Sequence, residues 1–232
     1  MQIHGLQKLT LLDYPGHTAA TVFTGGCNYR CPYCHNSELA LHPETVPAIP
    51  EEEILAFLKL RAKVLEGVAI TGGEPTLQPD LPEFIAKVRA LGYKIKLDTN
   101  GQHPAMLEWL LKNNLLDYVA MDIKNCRERY GATIGIRDFR TDAVEASVKL
   151  LLNSRIHYEF RTTVMTELHD EEAMKGIAQW IAGARHYYLQ PYRDSDQVMF
   201  KGRFHAPETS VLQSWKDLLS KSIPLVDIRG VD

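Results

Sequence analysis

The chain has 232 residues, 45% hydrophobic and 24% charged, a balance that suits one large or two small globular domains with a sizeable core. Its 26 Lys and Arg against 29 Asp and Glu leave a net charge of −3, which excludes bulk-charge attraction to nucleic acid or an anionic membrane. No apolar run reaches the ~18 residues of a membrane span, and Met1-Gln2-Ile3-His4-Gly5 has no basic-then-apolar leader, so a cytoplasmic location is expected.

In chain order, residues 18–24 (TAATVFT) are short, β-branched and end at Gly25-Gly26, which predicts a strand. Residues 50–65 open with Pro and three glutamates and predict a helix. Strands follow at 67–71, 93–99, 117–123, 157–164 and 186–190, alternating with helices at 80–91, 104–113, 141–153 and 169–182. A helix at 211–220 and a strand at 225–228 close the chain. Six β-then-α units predict a parallel sheet flanked by helices, since parallel strands need crossover connections. Two architectures satisfy that pattern, an open partial barrel and a doubly wound sheet, and both place the site at the strands' C-terminal ends. The stretches 35–49, 124–140 and 191–207 lack clear elements and lie on that side, where long loops usually serve function.

Cys27, Cys31 and Cys34 follow the first predicted strand with the spacing Cys-x3-Cys-x2-Cys. In a reducing compartment so dense a group points to a metal centre rather than to disulfides. A cubane iron–sulfur cluster is normally held by four thiolates, so three would leave one iron open to substrate. Zinc with His35 or the distant Cys126 as fourth ligand is the rival reading, although the separated second ligand pair of structural zinc sites is missing. Three buried structural thiols are the third.

The loop Cys27-x3-Cys31-x-Tyr33-Cys34 resembles the signature of radical S-adenosylmethionine enzymes. Its extension Tyr33-Cys34-His35-Asn36, together with Asp13-Tyr14-Pro15-Gly16 and Phe23-Thr24-Gly25-Gly26, resembles the glycyl-radical-enzyme activases. Among these it is most similar to activators of anaerobic ribonucleoside-triphosphate reductase, with a layout like that of pyruvate formate-lyase activase. The resemblance implies an α/β fold, a partial (β/α)6 TIM-like barrel of parallel strands, forming one domain over 1–232 with its core at about 18–192 and a C-terminal extension at 193–232.

It further implies that Cys27, Cys31 and Cys34 ligate three irons of one 4Fe–4S cluster, the fourth iron chelating S-adenosyl-L-methionine. Electron transfer from the cluster would cleave the cofactor to methionine and a 5′-deoxyadenosyl radical. That radical would abstract hydrogen from a glycine of a partner enzyme, with reduced flavodoxin or ferredoxin as electron donor. Neither a nucleic-acid nor a membrane partner is expected.

The remaining candidates carry their own chemistry. Gly72-Gly73-Glu74 lets backbone approach a ligand and offers a carboxylate to an ammonium, or is simply a tight turn. Asp98 and Asn100 suit ribose hydroxyls, though Asn100-Gly101 is also a turn signal. By the resemblance Asp98, Asp122 and Lys124 lie against the cofactor, Lys124 in a catalytic role; the alternative for Asp122 and Lys124 is a local ion pair. Arg161 needs a partner, either a cofactor carboxylate or an acidic residue on a neighbouring strand. Tyr33 and His35 beside the last cysteine, and Gln190 at the end of the sixth strand, complete the cofactor contacts the resemblance implies. Arg193 stands where the pyruvate formate-lyase activase pattern has a histidine. The isolated Cys126 reads as buried filler. Two alternative functions are a radical enzyme acting on a small molecule and a zinc-bound interaction module.

Overall fold

The computed structural model describes residues 1–230. Its strands are β1 (Ile3–Thr10), β2 (Ala19–Thr24), β3 (Gly67–Gly72), β4 (Lys94–Thr99), β5 (Tyr118–Asp122), β6 (His157–Val164), β7 (His186–Pro191) and β8 (Leu225–Ile228). Its helices are α1 (Ser37–Leu41), α2 (Glu51–Arg61), α3 (Leu81–Ala90), α4 (Pro104–Lys112), α5 (Tyr130–Thr133), α6 (Asp142–Leu152), α7 (Glu171–Trp180) and α8 (Thr209–Leu219). Hydrogen-bonded strand order follows chain order, β1 to β8. A doubly wound sheet would instead reverse order at a switch point, so of the two architectures open in the sequence the barrel type is found.

The chain packs as two compact units. One comprises Met1–Asn28 and Asn36–Val119, the other Tyr29–His35 and the described residues from Ala120 onward. In the first, β1 pairs antiparallel with β2, and β2, β3 and β4 run parallel. Val68, Ala69 and Ile70 of β3 are wholly buried, as a parallel strand covered on both faces requires. Ile54 and Leu58 of α2 and Phe84, Ile85 and Val88 of α3 bury the helix faces. The Tyr14 ring occupies the space a side chain at Gly67 would need, 2.7 Å from the Cβ position.

In the second unit, β6, β7 and β8 run parallel. Period-two alternation puts Glu159 and Arg161 of β6 on the face opposite Tyr158, Phe160 and Thr162. Glu159 is fully buried, and Arg229 grips it with two bonds of 2.7 and 2.9 Å. Such a buried carboxylate is tolerated because both oxygens are paired.

Three features depart from the predicted elements. Strand β1 is not among the predicted elements, and it forms because β2 offers it an edge. Helix α1 and the short α5 lie in stretches read as loop. Helix α2 ends at Arg61 rather than residue 65, because Glu66 N must donate to Thr18 O as the chain enters β3.

Candidate active site

In the first unit, the chain leaving β2 is gripped by α1: Gly26 N donates to Leu39 O at 2.8 Å and Cys27 N to Ala40 O at 3.1 Å. The turn after β3 packs against the same stretch. Glu74 N donates to Gly26 O at 2.8 Å, and a Cβ on Gly73 would lie 2.0 Å from that oxygen. Gly72 has φ +109°, in the region that favours glycine. Both glycines are therefore dictated by close backbone approach, which the tight-turn reading also required.

Glu74 is 1% exposed. Its Oε1 accepts from Thr76 N at 3.1 Å, from Thr76 Oγ1, and from Thr99 Oγ1 at 2.8 Å. Its Oε2 accepts from Asn100 N at 2.7 Å. Burial raises its pKa against the pull of these donors. The carboxylate thus ties the loop after β3 to the loop after β4. Asp98 is ion-paired with Lys96 two residues earlier on β4, and Lys96 is itself buried. Asn100 donates through Nδ2 to Asn28 Oδ1 at 2.8 Å and lies 4.0 Å from Cys27 Sγ.

In the second unit, Cys31 and Tyr33 are buried, Cys34 is half-buried and His35 exposed. The loop is stapled by Arg30 N to Ile134 O at 2.9 Å and by Cys34 N to Cys31 O at 3.1 Å. Gly135, at φ +72°, is required there because a Cβ would sit 2.5 Å from Arg30 O. At the end of β5, Asp122 accepts from Lys124 Nζ at 2.8 Å and from Arg161 Nε at 2.6 Å. Both non-cofactor partners considered from sequence are therefore present, with one carboxylate between two cations. Burial would raise the Asp122 pKa, but the charges of Arg161 and Lys124 outweigh it and hold the carboxyl well below its ordinary range. Burial opposes the Lys124 charge too, and the Asp122 carboxylate overrides it, holding the ammonium well above its usual value.

Two residues that the sequence did not single out hold Lys124 in place. His169, almost wholly buried, places Nε2 3.0 Å from Lys124 O while Nδ1 accepts from Met165 N at 3.3 Å, which assigns the Nε2–H tautomer. Asn125, fully buried, donates to Thr133 Oγ1 at 2.8 Å and Leu168 O at 2.9 Å, and accepts from Cys126 N at 2.8 Å. An Asn directly after a predicted site lysine was the only sequence signal. Gln190 is half-buried near the end of β7, in register with Thr163. His35 Nε2 lies 2.6 Å from Arg193 O, and the Arg193 guanidinium donates to Gly230 O. Cys126 is buried against Gly176, and burial pushes its thiol pKa up, as expected of packing.

Two observations fit a cofactor bound by these residues. The donor set consists of three cysteines on one short loop, none in a disulfide. The Tyr33 hydroxyl, buried beside the last cysteine, has no hydrogen-bond partner among the described residues, a deficit that a bound polar molecule can satisfy.

Residues 21–179 match the model of the radical SAM superfamily. A candidate glycyl-radical enzyme activating enzyme of Methanocaldococcus jannaschii is 32% identical over 236 residues, covering 99% of this chain and 96% of the relative. Pyruvate formate-lyase-activating enzyme of Clostridium pasteurianum is 32% identical over 128 residues, 53% of this chain and 52% of its own. The crystal structure of Streptococcus suis SuiB bound to S-adenosylmethionine shares the fold, with a TM-score of 0.69 at 16% identity over 88% of this chain and 48% of that one. The architecture is thus the α/β partial barrel, and the cofactors are S-adenosylmethionine and a 4Fe–4S cluster. Matched along most of its length by the superfamily and along nearly all of it by an activase relative, the chain belongs to the radical S-adenosylmethionine enzymes and, within them, to the glycyl-radical-enzyme activating family.

Proposed function

We propose that residues 1–232 act as a single radical S-adenosylmethionine domain that generates a glycyl radical on a partner enzyme, an anaerobic ribonucleoside-triphosphate reductase in the first instance. The near-full-length similarity to a glycyl-radical enzyme activating relative carries this reading. The Tyr33-Cys34-His35-Asn36 and Asp13-Tyr14-Pro15-Gly16 motifs support the activase reading.

In this reading Cys27, Cys31 and Cys34 hold three irons. Gly72, Gly73 and Glu74 receive the amino end of the cofactor. Glu74 Oε2 has one backbone donor, and a carboxylate oxygen can accept a second. Asp98 and Asn100 face the ribose; Tyr33, His35 and Gln190 line the remainder. Lys124 and Arg161 flank Asp122, and their cationic groups are of the kind that receives the carboxylate end of the cofactor. The cofactor pair supplies a 5′-deoxyadenosyl radical after one-electron reduction. The chain's own residues bind and orient that pair and exclude water. Reduced flavodoxin or ferredoxin is the proposed donor and the cytoplasm the proposed location; no described helix is long and apolar enough to cross a membrane.

The test is anaerobic reconstitution, with iron and sulfide quantified, dithionite reduction, and a search for 5′-deoxyadenosine after S-adenosylmethionine is added. Glycyl-radical candidates, ribonucleotide reductase first, are then screened for a glycyl doublet by electron paramagnetic resonance. Cofactor cleavage with no doublet on any candidate, but with turnover of a small molecule, would overturn the partner reading. Zinc in place of iron would overturn the chemistry itself.

A further inference from the structure

The stretch joining β7 to α8 is long, has no secondary structure of its own across residues 192–208, and yet is fastened at several points. Near its start, Tyr192 Oη donates to Asp194 Oδ1 at 2.9 Å, and the other oxygen of Asp194 accepts from Gly202 N at 2.9 Å, so the excursion is closed on itself. Near its end, Glu167 accepts from His205 N at 3.0 Å and contacts His205 Nδ1 at 2.7 Å, while Thr166 N donates to His205 O at 2.9 Å. Between these fastenings Phe204 turns inward and is 4% exposed.

The Phe204 ring meets Tyr33 edge-on at 6.1 Å and 82°, and meets Tyr192 edge-on at 6.0 Å and 74°. Tyr192 in turn lies 5.6 Å from the His35 ring, and His35 is hydrogen-bonded to Arg193 O. Three of these contacts, Phe204 to Tyr33, Tyr192 to His35 and Arg193 O to His35, fall on the stretch from Cys31 to His35. Edge-to-face aromatic pairs at these separations are favourable beyond the area they bury.

We infer that residues 192–205 form a strap whose Phe204 is a positioning residue, holding Tyr33 over the cysteine loop and keeping water and dioxygen from the cluster edge held by Cys31 and Cys34. The inference rests on the reading of these cysteines as cluster ligands. The apolar shell and solvent exposure of an iron–sulfur site help set its potential. A cluster with three thiolates becomes more negative on reduction, and water stabilises the more highly charged form. Admitting water should therefore move the potential upward.

The experiment compares reconstituted wild type with Phe204→Ser, Phe204→Leu and Glu167→Ala, the last a surface change that loosens the strap without touching the core. Two readouts besides activity are followed: bleaching of the cluster absorbance on exposure to air, and the midpoint potential by dye-mediated titration. The expected result is severalfold faster bleaching and a more positive potential in Phe204→Ser, a smaller change of the same sign in Glu167→Ala, and near-complete recovery in Phe204→Leu. Bleaching and potential equal to wild type in both Phe204→Ser and Glu167→Ala would overturn the strap while leaving the cluster ligands standing. A wild-type chain that takes up no iron and sulfide would overturn the ligand reading and the strap with it.

Discussion

The Asp122 carboxylate accepts from Lys124 Nζ and Arg161 Nε, and all three side chains are less than a quarter exposed. Breaking such a buried group by removing the anion leaves two cations facing each other, so Asp122→Asn should lose about 3–5 kcal/mol of stability. Urea denaturation checks the value. The Asp122 pKa is depressed in the fold, so its contribution is present above the ordinary carboxylate value and disappears as pH falls through the lower folded one. The gap between wild type and variant should therefore stay level from neutral pH down to roughly 4 and close only below that. Gly73 is as demanding for a different reason. Gly73→Ala puts a Cβ 2.0 Å from a backbone oxygen that cannot swing aside. A cost of about 1–3 kcal/mol or more is expected, with reduced iron uptake on reconstitution as the second reading.

Among the elements, the loop after β5 is held by neighbours rather than by itself. His169 and Asn125 bond the backbone around Lys124, and burial holds the imidazole pKa below its ordinary value. Above roughly pH 6.5 folded and unfolded chains both carry this histidine neutral; below it the unfolded chain protonates first, and stability falls by up to ~1.4 kcal/mol per pH unit until the folded pKa is reached. His169→Gln should flatten that slope below roughly pH 6.5 in stability measurements against wild type. Equal slopes would mean that this side chain takes no part.

The same elements show what could be read from residues alone. Strands β2 to β7 follow from short apolar runs ending in glycine or polar residues, and the cysteine loop from spacing. Strand β1, with Gly5, Gln7 and Lys8, has no apolar alternation of its own and is decided by its partner β2. The five-residue α1 is too short for periodicity and is fixed by bonds to Gly26 and Cys27. In the site, the cysteines, Gly72-Gly73-Glu74 and the charged pair on β5 were legible as local patterns. The grip of Thr76 and Thr99 on Glu74, Lys96 beside Asp98, and His169 behind Lys124 were not. Those bonds are made by neutral or ordinary residues whose meaning lies in which loop they reach.

For the whole molecule, a ligand that binds only the folded chain raises stability by mass action. S-adenosylmethionine at about 100 times its dissociation constant should add roughly 2.7 kcal/mol to the reconstituted protein. Anaerobic thermal denaturation reads this as an upward shift in Tm. Duplex DNA should give none, since a net charge of −3 offers no general attraction to phosphate.

The backbone amides around the cysteines have a consequence of a different kind. Gly26 and Cys27 donate to Leu39 and Ala40, Arg30 to Ile134, and Cys34 to Cys31, all bonds that the polypeptide makes with its own carbonyls. Small zinc modules fold only as the ion arrives and unfold when it is removed. Here the backbone beside each cysteine is bonded by the chain itself, so stripping and reloading the cluster should leave the far-ultraviolet circular dichroism unchanged. A catalyst damaged by air would then be a candidate for repair instead of replacement.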